Sequence, residues 1–136
     1  MYWNYLSEAQ RKKCKDVFLA LLSDKKAPES VRAEICWTLS LVIEDDYRSV
    51  ILKDKNVVCL RDNIEKWRKL DELVRRGEVC LESKTMKELK KAMDEVEKFN
   101  ATLRALLEDP DESVRVKERA KIELEDLAKL PVPPGL

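Results

Sequence analysis

Apolar positions recur with a helical period along most of this chain. Leu6, Cys14, Val17, Phe18, Leu21 and Leu22 fall at spacings that share one helical face, which predicts a first helix with a single buried stripe. Ser7 stands before it with Gln10 three residues later, the pattern of a capping box in which each side chain serves the other residue's backbone amide. Positions 23–27 predict a turn, and Pro28 suits the first position of a second helix, where an N–H has no helical partner to lose. That helix is expected over 28–44. It has no charged residue between Ile35 and Ile43, so it should be buried on more than one side and form the centre of the fold, with Trp37 in the core.

The stretch 48–61 reads two ways. Runs at 49–52 and 57–60 around the polar 53–56 have the pattern of a β-hairpin. Alternatively, Val57, Leu60, Ile64, Trp67 and Val74 form the stripe of one helix over 57–76, ended by Gly77 and preceded by a short helix at 46–53. The helical reading is preferred, because a lone hairpin with no third strand is marginal.

A long helix is expected to start at Thr85, with Glu88 completing a second capping box. Met86, Leu89, Met93, Val96, Asn100, Leu103 and Leu107 then alternate spacings of three and four, an a/d seam of roughly three heptads. The seam either packs on the 57–76 helix or meets a partner helix. In the second case Met86, Leu89, Met93, Val96, Asn100 and Leu103 are the partner-binding residues and Asn100 fixes the register. Val116, Ala120, Leu124 and Leu127 give the last helix its stripe. The segment 131–136, Pro-Val-Pro-Pro-Gly-Leu, is expected as an extended, frayed tail on a single helical domain over 1–130.

Composition agrees with helix. The 136 residues include 40% charged residues and only two glycines. One Gln, no His and a heavy Glu, Lys and Arg load resemble thermophile usage. Basic and acidic residues number 27 each, so no net field draws the chain to a polyanion. The charges are unevenly placed: 53–91 carries 12 basic and 8 acidic residues, whereas 92–136 carries 7 basic and 11 acidic. No secretory leader is read at the N-terminus and no apolar run reaches a membrane span, so a soluble cytoplasmic protein with no membrane partner is expected. Tyr2, Trp3 and Tyr5, three of the eight aromatics, are expected to fold back over one end of the helices.

Chemistry is largely excluded. Without His there is no Ser-His-Asp or Cys-His arrangement. Gly77 and Gly135 are the only glycines, so no Gly-rich loop can cradle a phosphate. Cys14, Cys36, Cys59 and Cys80 lack the close pairing of zinc ligands. No catalytic, cofactor-binding or metal-binding residue is assigned, and an enzyme is not expected.

The tetrapeptide Glu-Ser-Val-Arg occurs at 29–32 and again at 112–115, each time after a Leu-Leu pair and an acidic, proline-containing stretch. Leu22, Asp24, Pro28, Val31 and Arg32, then Leu107, Asp109, Pro110, Val114 and Arg115, resemble the turn chemistry of HEAT-like and armadillo-like helical repeats. The resemblance implies stacked antiparallel hairpins that present a surface to protein partners. The fold class expected is therefore all-α, with five to six helices as a HEAT-like stack or a compact bundle. A second stretch, 70–81, resembles the helix end and wing strand of a winged-helix DNA-binding domain. That likeness implies contacts to nucleic acid from Arg61, Lys66, Arg68, Lys69, Arg75 and Arg76. Asp62, Glu65, Asp71 and Glu72 interleave these residues. The preferred functional expectation is a non-catalytic scaffold or adaptor that binds a protein partner or its own copy. The alternative is a small nucleic-acid-binding or regulatory protein using 53–91.

Overall fold

A computed structural model describes residues 5–136; the expectation for Tyr2 and Trp3 lies outside the described residues. The fold is all-α. Among the described residues seven helices follow one another: α1 Glu8–Ser23, α2 Glu29–Leu52, α3 Lys55–Val58, α4 Ile64–Arg68, α5 Leu70–Arg75, α6 Ser83–Glu108 and α7 Val114–Leu127. No strand occurs among the described residues, so the hairpin reading of 48–61 falls away. The chain divides into two compact units, Met1–Val42 with Phe99–Asp126, and Ile43–Lys98 with Leu127–Leu136.

In the first unit, α1 begins as the sequence predicts. Ser7 Oγ accepts the Gln10 amide at 3.2 Å, and Gln10 Oε1 accepts the Ser7 amide at 2.9 Å. Its stripe is only partly covered: Leu22 is fully buried, but Val17 and Leu21 remain 51% and 37% exposed. Tyr5 is 85% exposed and covers nothing. Leu22, Ala33, Ile35, Cys36, Leu39, Val42, Phe99, Leu103, Val116 and Ala120 are the buried apolar residues of this unit.

The connections α1–α2 and α6–α7 are built alike, 85 positions apart. Asp24 Oδ1 accepts the Lys26 amide and Asp109 Oδ1 accepts the Asp111 amide, each at 2.9 Å. These are Asx turns, in which a short carboxylate mimics a backbone carbonyl. The Ala27 amide then donates to Asp24 O, as Glu112 donates to Asp109 O. Both helices open on the next carbonyl, Pro28 O receiving Arg32 N and Ser113 O receiving Lys117 N.

The structural repeat is thus 85 residues, whereas the tetrapeptide repeats at 83. Glu29–Arg32 lies inside the first turn of α2, but its second copy straddles the start of α7. Ser30 is not the helix entry that Ser113 is, and Pro110 and Arg115 do not stand where Pro28 and Arg32 stand. The two-residue slip has a structural effect. It puts Glu112 ahead of α7, where Arg32 reaches it.

In the second unit the expected 57–76 helix is broken. Asp54 caps α3 by accepting the Asn56 amide at 2.9 Å, and Asn63 caps α4 by accepting the Lys66 amide at 3.2 Å. Asn63, inside the expected helix, offers the backbone a local hydrogen bond that competes with a continuing helix and restarts it, whereas α5 opens after Lys69 with no side-chain cap. The expected helix at 46–53 is instead the end of α2. Thr85 does not cap α6, which starts at Ser83; it is buried in the first turn and donates to Asp54.

Gly77 ends α5 as expected, at φ +70°. Its amide reaches Val74 O and the Glu78 amide reaches Leu73 O, the paired bonds of a Schellman close. A Cβ there would stand 3.1 Å from Pro134 Cγ. Gly77→Ala should therefore lower stability by about 1–2 kcal/mol through the left-handed backbone and this contact, read as a shifted urea midpoint. The Pro-rich tail is not frayed. Pro131 is fully buried, Tyr47 Oη donates to its carbonyl, and Arg75 donates to Lys129 O.

Candidate functional site

No helix of the described residues is long and apolar enough to cross a membrane. No group of three or more His, Cys, Asp or Glu among them could hold a metal ion. All four cysteines are free thiols. Cys36 is fully buried, and burial, reinforced by the Glu123 carboxylate, pushes its thiol up to about 11. It is no nucleophile at neutral pH, because the thiolate is the reactive form.

The heptad face of α6 turns inward. Leu89 and Leu103 are fully buried and Val96 is 2% exposed, while Met86, Met93 and Asn100 are half-buried. Three of the six expected partner-binding side chains are therefore spent on the chain's own interior, and the seam is not an open surface. The reason is the helix's length. Ser83–Glu108 belongs to the second unit up to Lys98 and to the first from Phe99, and each part buries some of its stripe. Asn100 Oδ1 lies within it, buried and without a hydrogen-bond partner among the described residues.

The expected nucleic-acid residues are scattered over separate short elements. Arg61 precedes α4, Lys66 and Arg68 lie on it, and Lys69 links it to α5; all four are exposed. Arg75 is tied to Lys129 O, and Arg76 pairs with Glu72 at 2.5 Å. Positions 79–81 are irregular backbone and not a wing strand.

In the first unit the beginnings of α2 and α7 meet, Glu29 at Ser113 and, farther along, Trp37 at Arg119. Ser113 Oγ donates to Glu29 Oε2 at 2.6 Å, joining the two helix starts. Beside this, Arg32 makes a two-pronged pair with Glu112, at 2.5 and 2.7 Å, and also donates to Leu22 O at 2.8 and 3.0 Å. The Arg32 hydrogen bonds hold the Glu112 carboxyl below the usual carboxylate range against the opposing effect of burial. Outside, Lys25 pairs with Asp109 at 2.5 Å, joining the two turns.

Farther along the same pair of helices a groove of about 270 Å³ opens to solvent. Ser30, Ala33 and Glu34 line it from α2, and Arg115, Glu118, Arg119 and Ile122 line it from α7. Trp37, one turn beyond Ala33, was expected in the core but is 40% exposed. The Arg119 guanidinium sits 5.8 Å from the centre of its ring, a cation–π distance, and its Nε is 3.4 Å from the buried Glu123. Ile122 is 45% exposed, Val31 42% and Val114 71%. Val31 and Val114 stand three and four residues before Glu34 and Glu118, on the same helical faces.

No family model matches the chain, and no curated protein or solved structure matches it.

Proposed function

We propose that this chain is a non-catalytic protein-binding module and that the α2–α7 groove is its contact surface. One observation carries the reading: a tryptophan open to solvent stands beside the groove under Arg119, a residue of the groove wall, with further exposed aliphatic residues on the same two helices. Trp and Arg are the residue types on which interface energy concentrates, and an exposed Trp fixed by packing loses little freedom when a partner covers it. The doubled Asx turns, which resemble those of HEAT-like repeats, support the same reading. They align α2 and α7 so that the two helices share one face.

Affinity capture from extract of the source cells, with the intact chain as bait, checks this. Trp37→Asp should remove the captured partner, whereas Val58→Asp, a change at a residue 42% exposed and outside the groove, should not. Equal capture by both variants and the unaltered chain would count against the groove.

A further inference from the structure

We infer that the partner of the α2–α7 groove is a second copy of this chain, related to the first by a two-fold axis. The inference rests on the reading of the groove as a protein-binding face and specifies its occupant. The charges decide it. Glu34 and Glu118 face Arg115 and Arg119 around one opening, two of each sign. Glu34, Glu118 and Arg115 make no ion pair among the described residues, and Arg119 reaches Glu123 only at 3.4 Å, so both signs are presented to an incoming surface.

A two-fold contact places a patch against itself, so each residue on one side must find its complement on the same patch of the other. That requires both signs in balance around a shared apolar centre. Here the apolar part is Ile122 in the groove wall and Trp37 beside it under Arg119, with Val31 and Val114 exposed on the same two helices. A polyanion, or a peptide of one charge sign, would meet as much repulsion as attraction. Two copies would not repel at long range either, since the chain as a whole carries 27 charges of each sign.

Sedimentation equilibrium over a concentration series in moderate salt tests the pairing directly. The unaltered chain should approach twice its 15.9 kDa mass. Arg115→Glu leaves the patch with three acidic groups and one basic; Glu118→Arg leaves three basic and one acidic. Both positions are exposed, so the fold should tolerate either change. Each variant alone should self-associate about ten-fold more weakly or worse. An equal mixture of the two should restore a dimer containing one of each, because the altered patches now complement one another.

A constant single-chain mass for the unaltered protein overturns the inference, as does Arg115→Glu associating normally or a mixture that stays monomeric. The capture experiment then separates the two levels. A monomeric protein whose captured partner is still lost on Trp37→Asp excludes the second copy and keeps the groove. A monomeric protein whose capture ignores Trp37 removes both.

Discussion

Replacing Glu112 by Ala should lower the unfolding free energy by about 3–5 kcal/mol, the cost of leaving a buried charge without its partner. Arg32 is 4% exposed at its side chain and Glu112 1%, so water cannot replace what the substitution removes. Two further Arg32 bonds, to Leu22 O, anchor the guanidinium to the end of α1, so it cannot swing out without giving those up. Urea unfolding should show the loss as a lower midpoint at unchanged slope. The double variant Arg32→Met with Glu112→Leu should lose much less, because it removes both charges and fills the space. A Glu112→Ala protein within about 0.5 kcal/mol of the parent would contradict the buried pair.

The same pair sets a pH dependence. The folded Glu112 carboxyl titrates below its ordinary value, chiefly because Arg32 bonds its charged form and despite the cost of burial. The stability it contributes is therefore complete above the unfolded-state pKa and fades as pH falls through the folded one. The stability gap between the parent and Glu112→Gln should be widest near neutrality and narrow in acid. A gap that widens in acid would reverse the sign of this linkage.

What could be read along the chain was mainly what is settled within one helical turn. The Ser7–Gln10 box and the Gly77 stop are local contests between a few hydrogen bonds, and both formed where the residues predict. The helix at 57–76 failed on equally local grounds. Its apolar spacing is sound, but Asn63 in its middle starts a new turn and outweighs a weakly apolar stripe. Ile64, placed on that stripe, ended 65% exposed.

Errors in burial have another origin. Periodicity says that a face is apolar but not what lies against it. Trp37 sits in an uncharged run and stays open, because the residue that reaches it is Arg119 on α7, which stacks over the ring without enclosing it. The tail was expected to fray for lack of visible anchors. Its anchor is Tyr47, 84 residues away from Pro131. The candidate groove was illegible for the same reason: its two walls come from helices that no spacing rule connects.

The repeated tetrapeptide shows how a true signal can mislead in detail. Glu-Ser-Val-Arg follows both turns, and the two turns are built alike, each closed by an Asx bond. Aligning the tetrapeptides, however, equates Glu29 with Glu112 and Arg32 with Arg115. The fold equates Glu29 with Val114 and Arg32 with Lys117. The copies are complementary rather than equivalent. Arg32 and Glu29 of the first meet Glu112 and Ser113 of the second, and Arg115 is left at the groove with no ion pair among the described residues.

The second unit should prove most sensitive at Asp54. Asp54 is 2% exposed, yet its carboxylate serves donors from two separate helix starts. Oδ1 accepts the Asn56 amide at the start of α3, Oδ2 accepts the Glu82 amide at 2.9 Å, and Thr85 donates from the first turn of α6. Burial alone would raise this carboxyl, but the Thr85, Glu82 and Asn56 hydrogen bonds together outweigh it and hold the group below the ordinary range. A hydrogen bond to a charged group contributes roughly 1.5–3 kcal/mol, and Asp54→Ala leaves buried donors unmatched. A loss of about 3–4 kcal/mol is expected. Asp54→Asn keeps an acceptor and should lose about half of that. The signature that separates this role from simple packing is local: hydrogen exchange at the Asn56 and Glu82 amides should accelerate in Asp54→Asn before global unfolding does. Unchanged protection at both amides would show that Asp54 does not join the start of α3 to the start of α6. Stability from this carboxylate should likewise be complete above its unfolded pKa and drain away as acid protonates the folded form, so Asp54→Ala and the parent should converge at low pH.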